Sequence, residues 1–342
     1  MAEMKIAILC NDGSPLGVTM RSLYGEDGRV GVGGAEYALL TMCEAWHNDG
    51  REVVLFNDPQ DRYGSPFEQR NKVEFDSRED WDELIVFRSP NSRCMSFPGH
   101  KTWWSCDQFT VGKFDQFAPC VNSIVTISKF HSEFFKKEYG IYNTTTIDLP
   151  VRIDDYAQEL EKIPGRVIFT SVPDRGLAVL HAAWPLIKRD APISTLVITS
   201  DYRLWGVAPL NEQWRLKFGF DDRIQYLGAV PRRRLVEEEL KAEVFAYPGT
   251  YDELFCIACS EAQVAGAFPV TSNFGALPTT NMGIVLNGNP HRPDWVKTFV
   301  DTVVELLYRE DKSERNYLVT KAIERFNPKR ILKEWDDKVF NV

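Results

Sequence analysis

The sequence predicts an α/β protein built from two Rossmann-like, doubly wound parallel sheets in succession. Three observations carry this expectation. Short apolar runs of strand length alternate with helical patterns. The alternation breaks once, near the middle of the chain, and then resumes. Loops rich in glycine or charge follow several of the strands, where open parallel sheets bind ligands. A chain of 342 residues is long for one domain and comfortable for two.

The first series opens with "KIAILC" at 5–10 as a strand, followed by a long loop. "AEYALLTMCEAWHNDG" has apolar residues at helical spacing and stops at Gly50. "EVVLF", "ELIVF" (83–87), "KTWWS" (101–105) and "SIVTIS" (123–128) read as further strands, and "KFHSEFFKKEYG" as the next helix. The break is "LPVRIDDYAQELEKIPG" at about 150–165, read as the linker. The second series runs "RVIFTS" (166–171), helix "LAVLHAAWPLIKRD", "STLVITS" (194–200), "RIQYLG" (223–228), helix "RRRLVEEELKA" and "EVFAYP" (243–248). "FPVTSN" (268–273) and "GIVLNG" (283–288) follow, and the remainder is mostly helical. The expected domains are 1–157, joined by a final helix at 328–342, and 158–327.

Composition excludes several classes. The net charge of −9 argues against a general nucleic-acid binder. No apolar run approaches the roughly 18 residues of a membrane span, and the start lacks a signal-peptide core. Seven scattered cysteines fit reduced thiols, so the expected location is the cytoplasm. "SKFHSEFFKKEYG" mixes Phe and Lys as interfacial helices do, which admits peripheral membrane contact, though a surface helix with one buried face is commoner.

Three loops could hold chemistry. "GVGGAE" (31–36) precedes the first helix, where glycines admit close backbone approach and a bare helix start favours anions. It lacks the third glycine of a dinucleotide fingerprint, since Glu36 stands there. "TSVPDRGL" (170–177) places Arg175 at the entry to a helix, a seat for phosphate. In "GTYDELFCIACSEAQVAGA", Glu253 falls at the strand-to-helix turn and Glu261 about two turns inside the expected helix. A carboxylate among Ala, Cys and Ile needs a partner, either a buried cation or the hydroxyls of a ligand. "CIAC" (Cys256, Cys259) has no second pair for a zinc ribbon and reads as packing. "DWD", with Asp80 and Asp82, precedes a strand and reads as solvated charge; no metal is expected.

Taken in this order, the residues resemble the retaining glycosyltransferases of the GT-B fold, family 4 in particular. The resemblance rests on "GGAE", "SVPDRGLAVL", "ISKFHSEFFKKEYGI", "LPVRIDDY" and the donor-site-like "YPGTYDELFCIACSEAQVAGAFPVTSNFGALPTT" with its E-x7-E. It implies two domains facing a cleft and a sugar moved from a nucleotide-sugar donor to an acceptor hydroxyl with retention. It implies no metal and no cofactor. Glu253 would lie against the sugar and Glu261 against the ribose. Arg175 would clamp the diphosphate with Ser171 nearby, backbone amides of Leu254, Phe255 and Cys256 would face sugar and diphosphate, and Gly33 and Gly34 would form the glycine loop. The acceptor would be a glycan or a lipid- or protein-linked group, its contacts drawn from 11–34 and 88–122. Three positions depart from the family. The basic pair of the phosphate loop is reduced to Arg175, Thr279 replaces a glutamate, and no N-terminal histidine matches, so Asp107 in "WWSCDQ" stands in. A nucleotide-sugar hydrolase or epimerase, or a non-catalytic nucleotide-sugar-binding module, is the alternative. The sequence leaves base, sugar, linkage and oligomeric state open.

Overall fold

The structure, a computed structural model, describes residues 4–11, 16–108, 112–205, 208–218, 221–309 and 312–341. Residues 12–15 and 109–111, inside the two stretches expected to meet the acceptor, lie outside the described residues. The chain divides into two compact units. Unit 1 is Met1–Gly28, Val32–Pro150 and Asn327–Val342; unit 2 is Arg29–Gly31 and Val151–Phe326. The division thus follows Pro150 rather than residue 157. The reason is local: Val151 N donates to Phe326 O (2.9 Å), and the turn Ile153–Tyr156 is pinned into unit 2 by its own side chains.

Unit 1 carries β1 (Lys5–Leu9), β2 (Glu52–Phe56), β3 (Glu68–Arg70), β4 (Glu83–Phe87), β5 (His100–Trp104), β6 (Ser123–Thr126) and β7 (Thr145–Thr146). Among the described residues these form one parallel sheet in the order β3-β2-β1-β4-β5-β6-β7. The central strands are apolar throughout because both faces are covered: Leu84, Ile85 and Val86 are all fully buried. β3 and β7 escape a sequence reading because they are too short and polar to show a pattern. Helix α1 (Gly34–Asn48) buries Leu39, Leu40, Met42, Cys43 and Trp46. Helix α2 (Lys129–Tyr139) starts where Ser128 Oγ accepts from His131 N (3.0 Å) and stops at Gly140 in the left-handed region. Phe135 of α2 packs in the core beside Trp103 and Phe114, while Lys129, Lys136 and Lys137 are exposed.

After unit 2 the chain returns to unit 1 as helix Pro328–Trp335. Trp335, 1% exposed, meets the rings of Trp46 at 5.2 Å and Trp104 at 5.4 Å, both edge-on. Arg51 Nη2 then binds Asp336 Oδ1 at 2.7 Å.

Unit 2 carries β8 (Arg166–Phe169), β9 (Thr195–Ile198), β10 (Ile224–Tyr226), β11 (Val244–Tyr247), β12 (Phe268–Ser272) and β13 (Ile284–Leu286). They too are parallel, in the order β10-β9-β8-β11-β12-β13. Its main helices are α3 (Leu177–Asp190), α4 (Arg232–Lys241), α5 (Ile257–Val264), α6 (Pro293–Tyr308) and α7 (Lys312–Phe326). Among the described residues no helix is long and apolar enough to cross a membrane.

Trp335→Ala removes the indole that ties the returning helix to α1 and β5. It is expected to cost about 3–5 kcal/mol, as other buried Trp truncations do. Denaturant unfolding of the intact chain measures this; a loss below about 1 kcal/mol would show that the returning helix is dispensable to unit 1.

Candidate active site

In unit 2 the connections reverse direction between β8 and β11, which pair through Val167↔Val244 and Ile168↔Phe245. Loops leaving the carboxyl ends of such a strand pair lie side by side and form the usual ligand crevice of a doubly wound sheet. The loop after β8 ends in the turn Pro173–Arg175 and Gly176; the loop after β11 runs from Pro248 to Cys256. Their approach is close. Gly176 has φ +119°, and a Cβ there would lie 2.3 Å from Pro248 O, so only glycine fits.

Glu253 sits in the second loop, half-buried, with one hydrogen-bond donor on its carboxylate and a guanidinium acting on it through charge. Tyr247 Oη donates to Glu253 Oε1 at 2.5 Å. The Arg175 guanidinium is the largest influence favouring the charged form of Glu253; burial outweighs it and raises the carboxyl pKa. Tyr247 is fully buried, which pushes its phenol well above the usual range and keeps it a donor. The Arg175 guanidinium lies 3.2 Å from the centroid of the Tyr251 ring. Burial disfavours the Arg175 charge, but Glu253 and Tyr251 outweigh it and its pKa is raised. Ser171 lies close enough to the Tyr247 hydroxyl to offset part of its upward shift, so both loops and the end of β11 share one polar environment.

The main chain of Glu253 is clamped as well. Ala276 N donates to Glu253 O at 2.6 Å. Gly275 has φ +59°, and a Cβ there would come within 2.3 Å of Glu253 O and 2.4 Å of Glu253 N. The 275–276 turn therefore fixes the height of Glu253 above the sheet.

Helix α5 begins at Ile257, three residues later than its composition implies, because Cys256 adopts φ +74°. A non-glycine residue in the left-handed region is strained and marks functional sites more often than ordinary turns. Leu254, Phe255 and Cys256 consequently form the turn rather than the helix, and Glu261 lies about one turn into α5 rather than two. Burial raises the thiol pKa values of Cys256 and Cys259, which keeps both protonated.

Glu261 is 5% exposed and has a protein partner that the sequence did not reveal. Arg232 Nη1 donates to Glu261 Oε1 at 2.5 Å, and Arg232 Nε donates to Asp155 Oδ2 at 2.6 Å. Arg232 starts α4 among three consecutive arginines, and nothing in that run distinguishes the buried one.

Unit 1 has its own switch point, between β1 and β4. Asp107 stands after β5 and is ion-paired with Arg88, which follows β4. Arg88 has φ +65°, a second strained non-glycine residue at a strand's carboxyl end; no sequence signal marked it. Behind them, His131 Nε2 donates to Asp107 O (3.1 Å) and Nδ1 accepts from Ile127 N (3.3 Å). Burial lowers the His131 pKa to about 3, so it acts as a neutral support for the Asp107 loop. Gly33 caps α1 and Gly34 is its first residue. The carboxylate of Glu36 folds back over this start, with Oε2 2.5 Å from where a Gly33 Cβ would stand.

Asp82 lies at the amino edge of the sheet, where its Oδ2 accepts from Lys5 N at 2.8 Å. Among the described residues no group of three His, Cys, Asp or Glu side chains is arranged to hold a metal.

Residues 164–309 match the family model described as glycosyl transferases group 1. That segment contains Arg175, Glu253 and Glu261. Solved structures resemble the whole chain. HepE of Anabaena, in complex with UDP, is 16% identical with a TM-score of 0.71, covering 99% of this chain and 100% of that one. A glycosyltransferase of avilamycin A biosynthesis is 15% identical (TM-score 0.70; 98% and 96% covered). Sucrose-phosphate synthase of Thermosynechococcus elongatus is 12% identical (TM-score 0.69; 98% of each chain). The fold is GT-B. Among curated protein sequences none matches. In this GT-B chain the family model covers residues 164–309 of unit 2, while unit 1, with Arg88, Asp107, Gly33 and Gly34, and the first residues of unit 2 lie outside it.

Gly275→Ala tests the clamp on Glu253. The added Cβ meets backbone at a φ that alanine disfavours, so a loss of about 1–3 kcal/mol is expected. Thermal denaturation reads the effect; a variant as stable as the parent would show that the Glu253 turn is not held from this side.

Proposed function

We propose that the chain is a retaining glycosyltransferase that takes a sugar from a UDP- or GDP-sugar bound to unit 2 and transfers it to an acceptor hydroxyl without a metal. The observation that carries this reading is the convergence of Arg175, Tyr247 and Glu253 at the β8/β11 switch point, one turn from the start of a helix that carries Glu261. Such a site offers a cation, a helix amino terminus and two carboxylates. Those groups match the diphosphate, the sugar hydroxyls and the ribose diol of one ligand. The UDP complex of HepE and the match of residues 164–309 support it.

Arg175 and the start of α5 carry the positive charge. Both would stabilise the diphosphate as it leaves, the electrostatic part of the work that a cation does in other transferases. The left-handed Cys256 turns the chain so that Leu254, Phe255 and Cys256 precede the helix, and their amides are assigned to the sugar and diphosphate. Ser171, near the Tyr247 hydroxyl, is assigned to the donor beside Arg175. Glu253 is assigned to the transferring sugar and Glu261 to the ribose. Among the described residues of unit 2 no side chain stands out as a dedicated nucleophile, which favours attack on the face the diphosphate leaves, with a phosphate oxygen taking the acceptor's proton.

Unit 1 would supply the acceptor side. Asp107, oriented by Arg88 and backed by His131, is the group assigned there to an acceptor or donor-sugar hydroxyl. Gly33 and Gly34 would let an acceptor or phosphate approach the backbone at the start of α1. The acceptor would be a glycan or a lipid- or protein-linked hydroxyl, reached from the cytoplasm.

Glu253→Gln is expected to fold and to bind nucleoside diphosphate as the parent does, while kcat for sugar transfer, measured in EDTA with the donor that binds, falls at least 100-fold. That corresponds to about 2.7 kcal/mol of transition-state stabilisation. Near-parental kcat would remove Glu253 from the chemistry. Parental activity abolished by EDTA and restored by Mg²⁺ or Mn²⁺ would overturn the metal-free mechanism.

A further inference from the structure

Beneath Glu261 lies a buried charge cluster that sugar transfer itself does not require. Arg232, 4% exposed, bridges two carboxylates: Glu261 through Nη1 and Asp155 through Nε. Asp155 and Tyr156 belong to the turn Ile153–Tyr156, just past the division of the chain after Pro150. The Tyr156 ring lies 5.6 Å from the Arg232 guanidinium, and its hydroxyl donates to Glu239 Oε2 at 2.6 Å. Glu239 is fully buried, and its Oε1 has no hydrogen-bond partner in the structure. Burial, and then the neighbouring Glu261, hold the Glu239 carboxyl well above the usual range, so it adds little negative charge.

Three carboxyl groups therefore crowd the Arg232 guanidinium, of which Glu261 and Asp155 bind it, and Asp155 Oδ2 also faces Arg152 Nε at 3.4 Å. The geometry divides the Arg232 fork. With Nε committed to Asp155, a single Nη1–H reaches Glu261 and engages only Oε1. Oε2 of Glu261 is left for a ligand. An arginine released from Asp155 could instead grip both carboxylate oxygens side by side, the geometry such pairs favour, and would then compete with a vicinal diol.

We propose that Arg232 is the positioning residue for Glu261, and that Asp155 keeps Arg232 from covering it. The turn after the inter-unit division would thereby set donor affinity. This rests on the assignment of Glu261 to the ribose.

The test is calorimetry with UDP and GDP, and with the 2′-deoxy form of whichever binds, on the parent and on E261Q, R232M, R232K, D155N and R232M/E261Q. The parent should bind the ribo form more tightly than the deoxy form. E261Q and R232M should each weaken the ribo form about 10–100-fold, the worth of one or two charged hydrogen bonds. Both should lose most of the ribo/deoxy discrimination. The double variant should be no weaker than E261Q, because Arg232 acts through Glu261. R232K should recover part of the loss. D155N, whose amide oxygen still accepts a hydrogen bond, should weaken the ribo form several-fold without abolishing folding. With a bound donor, KM should rise in R232M while kcat stays within a few-fold, since Arg232 does not touch the sugar. If R232M fails to fold, D155N and the charge-balanced R232M/E261Q decide the matter. Unchanged discrimination in D155N, or a double variant much weaker than E261Q, overturns the proposal while the ribose assignment stands. A parent that binds no nucleoside diphosphate, or an E261Q that binds as the parent does, overturns the ribose assignment and this proposal with it.

Discussion

A carboxylate brought to the edge of a parallel sheet and half-buried there sets the terms for the rest of unit 2. Glu253 cannot sit at such a place without partners, because withdrawing an unpaired charge from water is costly. Its surroundings supply the compensation: a phenol from the end of β11, a guanidinium from the loop after β8, and a glycine turn that clamps its main chain. Each of these depends on strand order. Only the adjacency of β8 and β11 brings Arg175 beside Glu253, and only glycine at 176 lets the two loops touch. The topology and the polar network are two views of one constraint.

Backbone strain follows the same logic at two of the four described non-glycine residues with positive φ, the others being Asp58 and Asn341. Arg88 in unit 1 and Cys256 in unit 2 both follow strands at a switch point. Strain of this kind costs about 1–3 kcal/mol at each position and persists only where surrounding contacts impose it. At Arg88 those contacts are two hydrogen bonds between its main chain and β5: its N donates to Trp104 O, and its O accepts from the Trp103 indole Nε1. At Cys256 the carbonyl accepts from Cys259 and Ser260 at the head of α5. In each case the distortion aims a loop rather than closing a core.

Much of the architecture was legible in the sequence because buried parallel strands are written as apolar runs. The central strands of both sheets fall where "KIAIL", "ELIVF", "RVIF" and "VFAY" place them. β3 and β7 were not legible, being two or three polar residues whose strand character comes from a neighbour's hydrogen bonds. Glu253, Arg175 and Glu261 could be placed near strand ends and helix starts, since those features can be read locally. Their partners could not be. Arg232 is one arginine in a run of three, Asp155 sits in what reads as a polar linker, and Arg88 follows an ordinary strand. Each acquires its place through contacts distant in sequence, 29 residues in the case of Arg232 and Glu261. The start of α5 was misplaced for a related reason: helix propensity extends back to Leu254, but the left-handed Cys256 interrupts it.

On the proposed function, the two loops at the β8/β11 switch point hold a nucleotide sugar. Hydrogen–deuterium exchange of the intact protein, with and without a saturating UDP- or GDP-sugar, tests it directly. Slowed exchange is expected at the amides of residues 171–177 and 254–257, with smaller effects elsewhere in unit 2. Protection confined to other segments, with these two loops unchanged, would contradict it.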